Sequence, residues 1–276
     1  MTSSIDQYAV IGNPIVQSKS PLIHSSFAQA TGQQLEYTKI LGDIGQFAAN
    51  VDAFRARGGR GMNITTPFKL DAFAYATDLS ERAKIAGAVN AMKFENGRAY
   101  ADNFDGVGLV RDIVNNHKMA LHGKRVLMLG AGGAARGALL PFLQENPALF
   151  YIANRDTDKA AQLIAPYAAQ HKVQAGSYDS LAALQFDVVL NATSASLRAE
   201  LPPVPTTVFA PGCLAYELAY GKGLTPFLQL AKNSGVTHLA DGVGMLAEQA
   251  AEAFEWWRGV RPQTQDVIQQ LTIPLV

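Results

Sequence analysis

Three stretches of this chain gather hydroxyl, amide and charged side chains in patterns suited to binding a polar small molecule and moving a proton. The first, Gly12-Asn13-Pro14-Ile15-Val16-Gln17-Ser18-Lys19-Ser20-Pro21, carries two serines one residue apart. Ser20 fits a helix N-cap before Pro21 as well as it fits a ligand contact, whereas Ser18 has no capping role. The second, Met62-Asn63-Ile64-Thr65-Thr66-Pro67-Phe68-Lys69, raises a conflict. If Thr66 caps a helix beginning at Pro67, Lys69 falls at its third position, where a capping box takes Glu or Gln and the helix dipole disfavours a cation. The same dipole would lower the proton affinity of that lysine and suit it to proton transfer; the competing reading is a solvated surface lysine. The third sets Asn90, in Gly87-Ala88-Val89-Asn90, ahead of Asp102-Asn103-Phe104-Asp105-Gly106. Asp105 reads either as an N-cap or as the carboxylate that would hold the Lys69 ammonium in place.

A different chemistry is written in Val126-Leu127-Met128-Leu129-Gly130-Ala131-Gly132-Gly133-Ala134-Ala135-Arg136-Gly137. An apolar run, glycines and then a helical pattern make strand, turn and helix, the setting in which a helix N-terminus receives a pyrophosphate. Gly130 would allow the tight turn, Gly132 the approach of the backbone to the phosphates, and Gly137 close packing of helix on strand. The next strand ends in Tyr151-Ile152-Ala153-Asn154-Arg155-Asp156. An acid at the strand tip suits the ribose hydroxyls of NAD, whereas Asn154 and Arg155 are donors suited to the extra phosphate of NADP; Arg155 also reads as a solvated strand-end residue. Asp156 opposes a phosphate unless it caps the helix expected from Thr157.

The elements that must position these residues alternate. Strands are expected at Tyr8-Ile11, Leu35-Ile40 and Gly61-Ile64, with helices at Pro21-Ala30, Ile44-Ala56 and from Pro67. Ala91-Phe94 and Ala99-Asp102 flank Asn96-Gly97, a hairpin signal, and a helix over Val107-Asn115 leads to the glycine-rich turn. Beyond it come strands Leu149-Ala153, Asp187-Leu190, Leu214-Leu218 and Thr237-Leu239, helices Thr157-Ala169 and Pro226-Lys232, and amphipathic helices Met245-Trp257 and Thr264-Leu271. Such alternation means parallel sheets and an α/β fold in two units, and in such sheets ligands bind at the carboxyl ends of the strands. The 276 residues allow two domains. Equal numbers of basic and acidic residues, 23 each, and 17% charged residues give no footprint for nucleic acid or an anionic membrane. One cysteine, Cys213, excludes an internal disulfide and a multi-cysteine metal site. Without a signal-peptide pattern or a spanning apolar run, the chain is expected to be cytoplasmic.

Ser18-Lys19-Ser20-Pro21, Asn63-Ile64-Thr65-Thr66-Pro67-Phe68-Lys69, Gly87-Ala88-Val89-Asn90, Asp102-Asn103-Phe104-Asp105-Gly106, Gly130-Ala131-Gly132-Gly133-Ala134, Asn154-Arg155, Asn191-Ala192-Thr193-Ser194, Thr225-Pro226-Phe227-Leu228 and Asp241-Gly242-Val243-Gly244-Met245-Leu246 occur in this order. As an ordered set, spanning about Val10 to Trp257, they closely resemble the motifs of the shikimate dehydrogenase family. The resemblance implies reversible NADPH-dependent reduction of 3-dehydroshikimate to shikimate in the route to aromatic amino acids, with no resident metal. It implies a substrate-binding domain of residues 1-104 and 244-276, a Rossmann-type NADP-binding domain of residues 105-243, and a cleft between them. Lys69 and Asp105 would be the catalytic pair, with Lys69 exchanging the proton at the C3 oxygen. Ser18, Ser20, Thr65, Lys69, Asn90, Asp105, Tyr220 and Gln249 would contact substrate, Gln249 from a helix that returns to the first domain. Gly130, Ala131, Gly132, Gly133 and Ala134 would hold the pyrophosphate, Asn154 to Lys159, with Arg155, the adenosine phosphate, and Leu218, Gly242 and Met245 the nicotinamide end. The implied partner is a small molecule, with no nucleic acid or membrane, and a monomer or homodimer. The rivals are a dual quinate/shikimate enzyme using NAD or NADP, and a catalytically silent nucleotide-binding sensor. The chain departs from the family pattern in three places: Asp156 and Lys159 stand where Thr and Arg are common, Phe104 where Thr is usual, and Ala195-Ser196-Leu197-Arg198-Ala199 in place of a glycine-rich turn.

Overall fold

The computed structural model describes residues 5-275 and has a two-unit α/β architecture. In chain order the first unit contains β1 (Asp6–Gly12), α1 (Ser20–Thr31), β2 (Leu35–Leu41), α2 (Phe47–Ala56), β3 (Gly59–Ile64), α3 (Lys69–Tyr75), β4 (Asp78–Leu79), α4 (Glu81–Ala86), β5 (Ala91–Glu95) and β6 (Arg98–Asp102), then the start of α5 (Asp105–Arg111). The second contains β7 (Arg125–Leu129), α6 (Gly133–Gln144), β8 (Leu149–Ala153), α7 (Thr157–Ile164), β9 (Val173–Gly176), β10 (Phe186–Asn191), β11 (Phe209–Glu217), α8 (Pro226–Asn233) and β12 (His238–Asp241). Two helices follow, α9 (Val243–Arg258) and α10 (Gln265–Leu271). By contact, residues up to Gly108 group with Ala247–Val267, and Leu109–Leu246 group with the stretch from Ile268. The last residues thus leave the 244-276 block expected of the first domain, because Leu275 packs on the apolar cluster of the second unit.

The first unit is built on a six-stranded sheet of order β2-β1-β3-β5-β6-β4. β1 pairs in parallel with β2 and β3, while β5 runs antiparallel to β3 and β6. The reversal is made at Asn96 and Gly97, with φ of 51° and 77°, the left-handed pair that a tight hairpin needs. β1 is buried on both faces: Ala9 and Ile11 join one cluster, and Tyr8 and Val10 join another completed by Ala253 and Trp257 of α9.

The second unit carries a parallel six-stranded sheet of order β12-β11-β10-β7-β8-β9. Numbered from β7 this is the doubly wound order of dinucleotide-binding folds, whose direction of winding reverses between β7 and β10. The strand is again apolar on both sides, Val126 and Met128 facing one cluster, Leu127 and Leu129 the other.

Several elements differ from the sequence expectation. α3 begins at Lys69 rather than Pro67: the Thr66-Pro67 bond is cis, Pro67 lies in the preceding turn, and Phe68 rather than Thr66 is the N-cap. The expected helix over Thr157-Ala169 stops at Ile164 and continues as a 3-10 turn, Ala165–Tyr167, because Pro166 has no amide hydrogen to extend the α pattern. α5 ends in a π turn, Asp112–Asn116. β4, α4 and β9 are short elements that apolar periodicity does not signal.

His24 of α1 is fully buried, its imidazole stacked on Tyr37 with ring centroids 4.3 Å apart and close to Trp257 and Phe254. Neither ring nitrogen meets hydrogen-bond geometry with a protein atom. Burial therefore pushes its pKa down to about 3. A depressed folded pKa means that the unfolded chain takes up a proton below about pH 6.5 while the folded one does not, so stability present above that pH is lost as pH falls. Between pH 7.5 and 5 this group should remove about 2 kcal/mol, and His24→Phe should abolish that increment. Urea denaturation of both proteins at the two pH values checks this, and equal acid losses would contradict it.

Candidate active site

The loops after β1 and β3 meet at the carboxyl ends of adjacent strands. The Asn13 amide donates to the Thr66 carbonyl at 3.0 Å and the Thr65 amide to the Ile11 carbonyl at 3.0 Å. Contact is so close that a Cβ on Gly12 would lie 2.5 Å from the Thr65 Cγ2. In the first of these loops Ser18 Oγ donates to Ser20 Oγ and accepts from the Ser20 amide, each at 3.3 Å. The N-cap of α1 is Lys19 with no side-chain cap bond, so the capping reading of Ser20 is corrected: its hydroxyl sits at the helix start without closing it.

On the β3 side, Lys69 Nζ donates to Asp105 Oδ2 at 2.6 Å, with the two side chains 33% and 21% exposed. The lysine is the first residue of α3. Asp105 opens α5 but is not its cap either, since its amide donates to Asn103 Oδ1 at 3.1 Å and its carboxylate points to other partners. Asn90 Nδ2 donates to Asp105 Oδ1 at 2.8 Å and to Gln249 Oε1 of α9 at 3.3 Å, while Asn90 Oδ1 accepts from the Phe104 amide at 2.9 Å. Every polar position of this buried amide is engaged, so it orients the carboxylate and the glutamine together. Sequence reading missed Asn103, whose signal is an Asn two residues before Asp105, the spacing of an Asx turn. It also missed Asn63, which accepts from the buried Tyr37 hydroxyl at 2.6 Å. Phe104, the departure beside Asp105, is 3% exposed, edge-on to Trp256 at 5.7 Å, with the Arg82 guanidinium over its ring at 5.3 Å. Its side chain is a core residue, which explains how an aromatic is tolerated there.

The structure thus brings Lys69, Asn90, Asp105 and Gln249 into one hydrogen-bonded group, with Thr65 on the loop that leads to Lys69. The Ser18-Ser20 pair makes its own contact at the next loop, and Tyr220, 41% exposed, belongs to the second unit on the segment after β11. A half-exposed ammonium locked to an oriented carboxylate is an arrangement able to hand a proton to an oxygen placed against it.

In the second unit Gly130, with φ +100°, makes the turn out of β7, and an added Cβ would meet Thr193 Cγ2 at 3.1 Å and Ala192 of the β10 loop. Gly132 is the N-cap of α6 without a side-chain cap, and a Cβ at Gly132 or Gly133 would meet nothing within 4 Å. Open backbone amides at a twelve-residue helix start fit a pyrophosphate. Gly137 is half-buried; the face of α6 against the sheet is made by Ala135, Ala138, Leu139 and Phe142, so small alanines contribute the close packing expected of it. Past β8, Arg155 and Lys159 are exposed, and Asp156 accepts from the Lys159 amide at 3.0 Å as the N-cap of α7. The capping role of Asp156 holds, its charge directed at backbone amides, with the Asn154 side chain donating to its carbonyl at 2.8 Å. These residues fit a dinucleotide with a 2′-phosphate. Cys213 is buried, which pushes its thiol up to about 12, so it offers no nucleophile. Among the described residues, no helix is long and apolar enough to cross a membrane.

Comparison with known proteins bears on the same residues. Residues 10–92 match the shikimate dehydrogenase substrate binding domain, 112–199 the shikimate / quinate 5-dehydrogenase family, and 242–272 the shikimate 5'-dehydrogenase C-terminal domain. A curated relative from Chromobacterium violaceum, named shikimate dehydrogenase (NADP(+)), is 54% identical over 96% of this chain and 97% of its own. The chain belongs to the shikimate dehydrogenase family. Among solved structures, an Ael1 enzyme from Pseudomonas putida is 60% identical with a TM-score of 0.96, covering 98% of this chain and all of that one (100%). Shikimate 5-dehydrogenase from Thermus thermophilus, solved with NADP(H) and shikimate, is 26% identical with a TM-score of 0.85, covering 97% of this chain and 100% of that one. Shikimate dehydrogenase membership accounts for both halves of the chain, the hydroxyl-rich loops and the glycine-rich turn alike.

Proposed function

We propose that this chain catalyses the reversible, NADPH-dependent reduction of 3-dehydroshikimate to shikimate, as a cytoplasmic enzyme of aromatic amino acid synthesis. The single observation that carries the reading is the Lys69-Asp105 bond of 2.6 Å within a group completed by Asn90 and Gln249. A nucleotide-binding sensor of the same fold would have no use for that pair.

Bound NADPH supplies the hydride. Lys69 donates a proton from Nζ to the C3 oxygen as the carbonyl becomes an alcohol, and takes it back in the oxidative direction. Asp105 holds the ammonium in line for that transfer, and Asn90 keeps the carboxylate from turning. Ser18, Ser20 and Thr65 offer neutral hydroxyl donors to the substrate carboxylate and hydroxyls, and Gln249 and Tyr220 complete its contacts. The first turn of α6, with Gly130 to Ala134, receives the pyrophosphate, and Asn154, Arg155 and Lys159 receive the 2′-phosphate. Leu218, Gly242 and Met245 hold the nicotinamide end.

A spectrophotometric assay of shikimate and quinate with NADP and with NAD tests the reading. Shikimate with NADP should give the highest kcat/KM, because quinate carries a tertiary hydroxyl beside the carboxylate, where the serine loop would meet it. Arg155→Ala should lower kcat/KM for NADP by about 10-fold or more, the loss of one charge-assisted hydrogen bond, and leave NAD nearly unchanged. Equal turnover of quinate, or an equal effect on both cofactors, would count against the assignment.

A further inference from the structure

Tyr216 of β11 is completely buried, yet its hydroxyl is engaged twice. It donates to Asp112 Oδ2 at 2.6 Å and accepts from the Met245 amide at 3.3 Å. Asp112 is 1% exposed and opens the π turn that ends α5, where the His117 amide reaches back to the Asp112 carbonyl at 3.0 Å. A π turn of this kind is uncommon and recurs at functional sites. The other carboxylate oxygen accepts from Asn116 Nδ2 at 2.8 Å, and His117 Nε2 lies 3.5 Å from Oδ2.

The carboxylate is also a steric wedge. A Cβ on Gly244 would lie 2.0 Å from Asp112 Oδ1, and one on Gly242 would lie 2.2 Å from the Leu218 carbonyl oxygen. Both glycines of Gly242-Val243-Gly244-Met245 are therefore required by contacts inside the second unit. The backbone of this segment is clamped between Leu218 and Asp112 and tied at Met245 by the Tyr216 hydroxyl.

We propose that Tyr216 and Asp112 are positioning residues that fix the Gly242-Met245 backbone and through it set the affinity for the nicotinamide half of the cofactor. This rests on the assignment of Leu218, Gly242 and Met245 to the nicotinamide end. Neither side chain touches the cofactor; each acts by holding the backbone that does. Removing a hydroxyl that bridges a buried carboxylate and a backbone amide takes the 2.6 Å donor from Asp112, which keeps Asn116 on its other oxygen, and the acceptor from the Met245 amide, and the segment they hold then relaxes.

The test uses the full chain and compares two probes by direct titration: NADPH, and 2′-phospho-ADP-ribose, which lacks the nicotinamide ring. Tyr216→Phe keeps the ring and removes the hydroxyl. It should weaken NADPH about 10-fold while leaving 2′-phospho-ADP-ribose unchanged, the retained fragment affinity showing that the unit is folded. Should that variant fail to fold, Asp112→Asn, which keeps the volume, takes its place with the same readout. Unchanged affinity for both probes, or an equal loss of both, overturns the proposal, the second outcome being that of general loosening. Met245→Ala, run in parallel, separates the two levels. If it too leaves the ratio of the probes unchanged, the nicotinamide assignment falls and the brace with it; if it shifts the ratio while Tyr216→Phe does not, the brace alone falls.

Discussion

Lys69→Ala should lower turnover of shikimate by about 100-fold or more, the usual scale of a positioned acid-base group, while the dissociation constant for NADP stays within about twofold of the parent. The separation is expected because Lys69 and Asp105 belong to the first unit and the phosphate-binding turn to the second. Asp105→Asn should lose a large part of the same activity: the ammonium loses the charge at 2.6 Å that holds it, and Asn90 Nδ2 loses its carboxylate acceptor at 2.8 Å. The two residues form one unit, so the double variant should fall little further than Lys69→Ala alone. Losses that multiply, or a Lys69→Ala enzyme that keeps most of its turnover, would rule out a coupled proton-transfer pair. Steady-state rates for the four proteins, with NADP binding by fluorescence, decide it.

The largest stability effect is expected at Glu217, the last residue of β11 and fully buried. One carboxylate oxygen accepts from Asn191 Nδ2 at 2.9 Å, from Thr225 Oγ1 at 3.2 Å and from the Ser196 hydroxyl in a short bond; the other accepts from the Ala219 amide at 3.2 Å. Burial pushes its carboxyl above the ordinary range, and these donors pull it back. It ties together the ends of β10 and β11, the capping Thr225 of α8, and the 3-10 turn at Ala195–Arg198. Glu217→Ala leaves buried donors without an acceptor and a cavity beside them, so unfolding free energy should drop by about 3–5 kcal/mol. Glu217→Gln keeps the volume and one acceptor and should cost less than half as much. Guanidinium denaturation measures both; a loss under about 1 kcal/mol for the alanine variant would mean that the turn is held by something else.

The two α/β repeats were legible because strands buried on both faces read as unbroken apolar runs, as Val126 to Leu129 does, and because Asn96-Gly97 strongly favours the left-handed pair of a tight hairpin. The start of α3 was not. Thr66-Pro67 satisfies every local rule for a cap and a first helical residue, and nothing in the pattern distinguishes a cis bond from a trans one. Candidate site residues were legible as types: a lysine in a first helical turn breaks a local preference, whereas the aspartate before a helix fitted an ordinary N-cap as well as it fitted a partner for that lysine. Their meeting was not, because Asn90 and Gln249 are 159 residues apart and only the fold joins them. Asp112 and Tyr216 escaped for a related reason. A buried carboxylate inside a helical pattern looks like a polar-face residue, and Tyr216 looks like ordinary strand filling.

The return of α9 to the first unit has a consequence for the order in which the protein can be made. Trp257 stacks on Tyr8 at 4.8 Å, donates from its indole to the Met92 carbonyl at 3.0 Å, and fills the space that a side chain at Gly61 would occupy. Arg258 pairs with Asp6, and Gln249 meets Asn90. While the chain emerges from the ribosome, the sheet of β1 to β6 therefore lacks the part of its cover that α9 supplies until residues 109–246 of the second unit have been translated. That second unit is nearly continuous and can close first. Helix α9 is thus the closing piece of the amino-terminal half, and any nascent chain that stops short of it carries the loops of a site without the Gln249 that meets Asn90 among them.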